Sequence, residues 1–332
     1  MIVVLRGGRI ESRHRVAFAL ADPSGHLVAV GGDPTAPVFP RSAIKPLQAL
    51  PLIESGAADR FGVDDAELAL ACASHSGEAV HVERVARWLA RLGLGPQHLA
   101  CGAHAPVDEA AARRLDEARE RPSALHNNCS GKHAGMLTLA RHLDLPFAGY
   151  LEPDHPVQQR IAATLAAMAG LPSLPEPAID GCGVPTWPLP LAALASAMAR
   201  LGDPGALEAP RASACRRITA AMGAHPQLVA GTGRTCTTVM HAVPEVIVKA
   251  GAEGVHVAVW PARGLGLALK IEDGASRAAP VALLALLDAA GALDSSARAA
   301  LQPLARPLLR NHAERVVGEI RPADDWPGVL VR

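Results

Sequence analysis

Strand-forming segments in this chain gather at its two ends, and the long stretch between them reads as helix. Ile2–Arg6 and Ile10–Ala21 flank a Gly7-Gly8 turn, and His26–Gly31 follows the turn Asp22-Pro23-Ser24-Gly25. These segments predict a three-stranded antiparallel meander. Strand character returns only at Val246–Lys249, Val255–Trp260 and Leu265–Ile271, each bounded by Gly or Pro. In between, apolar residues recur at helical spacing over roughly 46–55, 79–92, 108–119, 131–143, 156–169, 189–201 and 206–222. Helices are also expected at Ala279–Ala290 and near 296–302, while Ala313–Ile320 suits helix or strand. This order predicts an α+β fold in which the N- and C-terminal strands pair into a central antiparallel sheet with helices packed around it. No linker, repeat or low-complexity tract interrupts the chain. Residues 1–332 are therefore expected to form a single domain, with strands 1–32 and 245–272 forming the sheet and 42–222 mainly helical.

Composition narrows the function. Lys plus Arg equals Asp plus Glu, at 32 each, so no concentrated positive charge points to nucleic acid or an anionic membrane. Apolar residues make up 49%, enough for a substantial core. The segment MIVVLRGGRI lacks a basic stretch followed by a long apolar run, so no secretion signal is expected. The longest apolar stretch, around Pro280–Leu293, contains Asp288 and is too short to span a bilayer. A cytoplasmic location follows as the expectation, with the six cysteines reduced. None of them forms a CxxC pair, so no compact zinc finger is encoded.

Three motifs carry candidate chemistry. Ser42-Ala43-Ile44-Lys45 puts a hydroxyl and an amine one helical turn apart. A serine is a poor nucleophile until a base takes its proton, and lysine can be that base only if its pKa falls from about 10.4 towards neutrality. Alone, such a pair arises by chance in any long chain. Ala73-Ser74-His75-Ser76-Gly77-Glu78 ends an apolar run, and Ser76 is favoured as the N-cap of the helix that follows. Lys249-Ala250-Gly251 closes a strand, where glycine admits a ligand close to the backbone or simply makes a hairpin turn. The order Ser-x-x-Lys, serine-bearing tripeptide, Lys-x-Gly is that of serine β-lactamases and penicillin-binding proteins. Two further segments are unusual. Leu125–Gly135 opens a helix with Asn127, Asn128, Cys129, Lys132 and His133; His126 replaces the first glycine that a phosphate-cradling loop would need. Ile179–Pro185 places Asp180 and Cys182 on a glycine-rich turn. Taken singly, each cysteine is a small buried hydrophobe as readily as a ligand.

The blocks RSAIKPLQ, ASHSGE, HNNCSGKHAGML, DGCGVP, KAGAEG, GLGLALKIEDG and VGEIRP together resemble the L-asparaginase II family, the class 3 asparaginases. The resemblance implies a serine β-lactamase/glutaminase-like fold and hydrolysis of L-asparagine to L-aspartate and ammonia. It carries two Ser–Lys pairs over to Ser42 with Lys45 and Ser74 with Lys249. It further implies one zinc ion (Zn2+) per chain on Cys129, Lys132 and Cys182, with water at the fourth position and a role in placing the substrate. The resemblance also places His133 and Asp180 in the same pocket, with Lys132 beside them, and Asp180 is the candidate for the substrate amine. A homodimer is expected. Ser42 is taken as the nucleophile because its lysine is fixed locally, with Ser74 as a relay. The competing readings are a glutaminase, a penicillin-interacting hydrolase, or a non-catalytic relative that binds amino acids.

Overall fold

The computed structural model describes residues 1–324 and 326–328. It is an α+β fold of antiparallel sheets and helices, and it divides into two compact units that are each discontinuous in sequence. A sheet unit comprises Met1–Ala43, Leu189–Asp203 and Thr238–Arg332; a helical unit comprises Ile44–Pro188 and Pro204–Thr237.

In the sheet unit the strands are β1 (Ile2–Arg6), β2 (Arg9–His14), β3 (Val16–Ala21), β4 (Leu27–Gly31), β5 (Ile247–Ala250), β6 (Val255–Trp260), β7 (Leu265–Ile271), β8 (Leu308–Arg310) and β9 (Val316–Pro322). Strands from the two ends of the chain do pair, but in two sheets, ordered β8-β9-β1-β2 and β4-β3-β7-β6-β5. Val4 lies opposite Ile320 in the first and Ala19 opposite Ala268 in the second, both antiparallel. The expected strand Ile10–Ala21 breaks at Arg15 for a reason of solvation. β2 is mostly exposed, whereas every residue of β3 is buried, so one continuous strand would have to leave water on both faces at once. Of the undecided segment Ala313–Ile320, the part from Val316 on is strand, because β1 offers it a partner that local propensity does not reveal. Helix α5 (Leu191–Gly202) lies across β3 and β7. Its close approach depends on Gly266, where an added Cβ would sit 2.2 Å from both Ala195 O and Ala199 N.

In the helical unit, α1 (Asp65–Ala71) starts at a capping box, with Asp64 accepting from the Glu67 amide and Glu67 from that of Asp64. Glu67 is buried and accepts from the two terminal guanidinium nitrogens of Arg91, at 2.8 and 2.5 Å, from the end of α2 (Ala79–Arg91). Helix α3 (Ser130–His142) has no wet face along its first three turns: Ser130 through Ala140 are all buried. Gly131 makes this possible, because a Cβ there would overlap Leu70 O on α1. Helix α4 (Pro156–Ala169) follows local rules, with Pro156 in its first turn and Gly170 at φ 70° ending it. Helix α6 (Ala209–Ala224) packs against α1. Helix α7 (Thr235–Ala242) joins the last stretch of this unit to the returning strands, which continue into α8 (Ala279–Ala289) and α9 (Ser295–Ala305). Among the described residues no helix is long and apolar enough to cross a membrane.

Candidate active site

Seven of the nine sequence-predicted site residues belong to the helical unit: Lys45, Ser74, Cys129, Lys132, His133, Asp180 and Cys182. Lys45 is only 1% exposed. Its Nζ donates to Ser74 Oγ at 3.0 Å and to Ala73 O at 2.5 Å. Ser74 follows the end of α1, where its amide donates to Val229 O at 2.9 Å.

A second knot adjoins this one. Cys129 precedes α3, and its amide donates to Asn127 Oδ1 at 2.9 Å, while the Asn127 side-chain amide donates to Cys101 O and Gly102 O. One asparagine thus ties the helix start to a neighbouring loop. Cys182 rides on the turn between the paired segments Ala178–Ile179 and Pro185–Thr186, closed by the Gly183 amide donating to Asp180 O. Lys132 Nζ donates to Cys182 Sγ at 3.0 Å. The hydrogen bond from Cys182, reinforced by the Lys45 and Lys132 ammonium groups, holds the Cys129 thiol well below its usual range against the opposing effect of burial. The same bond raises the Cys182 thiol, as does burial. Of the two thiols, Cys129 is therefore the one favoured as thiolate. Burial opposes the charge on Lys132, yet the Cys129 thiolate, Cys182 and Asp180 outweigh it and leave that amine raised. The result is a compact, nearly dry cluster of two amines, two sulfurs and a carboxylate.

His133 stands beside it. Burial, then Lys132 and Lys45, push its imidazole well below the usual range, so the ring is neutral. Tyr150 Oη accepts from the Ala100 amide at 3.0 Å and shares a 2.6 Å hydrogen bond with His133 Nδ1. His133 Nε2 is a buried atom without a hydrogen-bond partner among the described residues. Sequence reading missed Tyr150, whose contribution comes from 17 residues away. It could have found Asn127, since asparagine just before a helix is a capping signal.

The remaining two residues, Ser42 and Lys249, lie in the sheet unit. Ser42 follows Arg41, which adopts φ 50°, a left-handed conformation costly for a non-glycine residue and concentrated at functional sites. Lys249, on β5 and 2% exposed, donates to Ala250 O at 2.7 Å. Two residues on, Gly251 is pressed against the Ser42 segment: a Cβ there would lie 2.6 Å from Pro40 O and 3.3 Å from Ala43 Cβ. Ser76 does not cap α2. Glu78 is the residue at the cap position, and the Ser76 hydroxyl donates to Glu78 Oε1 at 2.6 Å instead.

No curated protein sequence matches the chain. A solved structure described as a β-lactamase from Mycobacterium bovis aligns with a TM-score of 0.38 and 16% identity, over 78% of this chain and 87% of that one. A likeness that weak says nothing about activity. The family model described as L-asparaginase II matches residues 2–322. That span takes in Ser42, Ser74, Lys249 and the whole thiol–amine cluster, and the chain belongs to the L-asparaginase II family.

Proposed function

We propose that this protein hydrolyses the side-chain amide of L-asparagine, with Ser42 as nucleophile, Lys45 as base and Ser74 as proton relay. Family membership supports asparaginase-type amide hydrolysis of a small molecule. The observation that carries Ser–Lys chemistry, whichever serine attacks, is the 3.0 Å bond between the buried Lys45 amine and Ser74 Oγ, and the choice of Ser42 follows the family's motif order. A lysine so placed, when neutral, takes the proton of Ser42, three residues earlier in the chain, as Oγ bonds to the amide carbon. The proton then passes through Ser74 to the leaving nitrogen, the C–N bond breaks, and ammonia departs. Water hydrolyses the resulting ester, releasing aspartate and restoring the serine. The resemblance pairs Lys249 with Ser74 in that relay. His133 Nε2, a buried nitrogen without a hydrogen-bond partner among the described residues, supports a place for a polar group of the substrate, and Asp180 supports one for the substrate ammonium.

The same reading includes one zinc ion held by Cys129, Lys132 and Cys182. Among the described residues no group of three His, Cys, Asp or Glu side chains suits a metal, so the fit depends on Lys132 as third ligand. Its Nζ already lies 3.0 Å from Cys182 Sγ, and two sulfurs with one nitrogen suit tetrahedral zinc. A bound zinc would act as a Lewis acid that orients the substrate. Lysine donates a lone pair only when neutral, so binding would release a proton.

Ammonia release from asparagine, glutamine and a chromogenic β-lactam separates the candidate activities. Asparagine is expected to be preferred by at least the ~1–3 kcal/mol that one methylene is worth in a pocket. Equal kcat/KM for the two amides would leave a general amidase, and β-lactam turnover would favour a penicillin-interacting hydrolase. A second reading makes Ser74 the nucleophile, favoured by its direct bond to Lys45.

A further inference from the structure

Glu78 ends the ASHSGE block and has no part in the chemistry above. Its carboxylate accepts four hydrogen bonds: from Ser76 Oγ at 2.6 Å and the Thr232 amide at 2.7 Å on Oε1, and from Thr232 Oγ1 at 2.9 Å and Gln227 Nε2 at 3.1 Å on Oε2. A carboxylate offers about four lone-pair sites, so this one is filled. It has no site left for a substrate ammonium or a transferable proton. Burial works against its charge, but the bonds from Ser76, Thr232 and Gln227 hold the carboxyl down at about 2.

The groups it gathers come from two segments that meet at Ser74. Gly231 has φ 109° and lies so close to the turn that a Cβ would sit 2.0 Å from Ser76 Oγ and 2.7 Å from Glu78 Oε1. Ser74 itself donates its amide to Val229 O at 2.9 Å, and His81 Nε2 donates to Gln227 O at 3.0 Å. Thr237 Oγ1 closes the far side of the loop on Gly231 O at 2.6 Å. The segment 227–232 is therefore the wall against which the Ser74 backbone docks, and Glu78 is the clasp between wall and turn.

We infer that Glu78 is a positioning residue for the reaction: by clasping the Gly231-Thr232 loop to the Ser74 turn, it holds the Ser74 hydroxyl in line with Lys45. This rests on the proposed hydrolysis for its kinetic readout, but not for its structural one. In Glu78→Ala, amide exchange in peptides spanning 226–237 should accelerate at least tenfold. The kcat for asparagine should fall at least tenfold, with KM within threefold of wild type. Glu78→Gln keeps a carbonyl for the Thr232 amide and should recover most of both, which a proton-transferring carboxylate would not allow. If Glu78→Ala fails to fold, Thr232→Val removes one clasp bond and should give a smaller loss of the same pattern. The inference is overturned if the folded Ala variant keeps kcat within twofold of wild type, or if Gln is as damaging as Ala. Should wild type release no ammonia from asparagine, the proposed function fails while the exchange comparison still decides the clasp; unchanged exchange in Glu78→Ala would then overturn it.

Discussion

Lys45, Lys132 and Lys249 are each at most 4% exposed, although lysine is almost never fully buried unless something compensates it. Lys132 is compensated by the Cys129 thiolate and Cys182. Lys45 donates to Ala73 O and Ser74 Oγ and also bonds the Cys129 sulfur. Ser42→Ala and Lys45→Met should each lower kcat by about 10²–10⁴, the range typical of general-base catalysis, with the fold intact by circular dichroism. Because the members of a catalytic unit fail together, the double variant should be scarcely worse than either single one. A Ser42→Ala enzyme that keeps more than about a tenth of kcat, well short of that loss, would move the nucleophile to Ser74. These residues were candidates in the sequence because short motifs in a fixed order pointed to them. The contact between Lys45 and Ser74 was not legible there. Lys45 and Ser74 meet across 29 residues, and no local spacing encodes such a contact.

At the scale of elements, legibility followed whether local chemistry alone decides the structure. Helix α4 has a proline start, a glycine end and regular spacing, and it was read to the residue at 156–169. Helix α7 went unread because Thr235, Thr237, Thr238 and Val239 disfavour helix intrinsically. Its start is fixed in part by Thr237 Oγ1 bonding back to Pro226 O and Gly231 O. The break between β2 and β3 was likewise hidden, because burial on a second face is a property of the assembled sheet. Gly266 gives a test of such element packing. Gly266→Ala should cost about 1–3 kcal/mol, the usual range for overpacking a tight contact, measured by chemical denaturation. The expected control is Gly131→Ala, which meets Leu70 O in the same way in the helical unit. A Gly266→Ala protein as stable as wild type would show that α5 can lift off β7 freely.

For the whole molecule, the chain passes between the two units four times, at 43/44, 188/189, 203/204 and 237/238. Neither unit is a continuous stretch that could fold before the other is made. A single calorimetric unfolding transition is therefore expected, as for one domain; two resolved transitions would argue for independent units. Zinc binding would move that transition by mass action, by about 2.7 kcal/mol at one hundred times Kd. For a chain of this size that is several degrees. The shift should be absent in Cys182→Ser, and elemental analysis of chelator-free wild type should find one zinc per chain. A wild type that takes up no zinc would remove the metal and leave the serine chemistry standing.

The pairing of β1 with β9 sets residues 2–6 against residues 318–322. On the ribosome, Ile2–Arg6 finds only β2 beside it, while its other edge waits for residues 318–322 to be translated. β3, buried along its full length, waits in the same way for β7, about 250 residues later. Nascent chains of this protein therefore carry two apolar, half-paired strands until those partners are made. Such edges attract other strands, so yield in cells should respond more to holdase chaperones and slower expression than to any change in the finished enzyme.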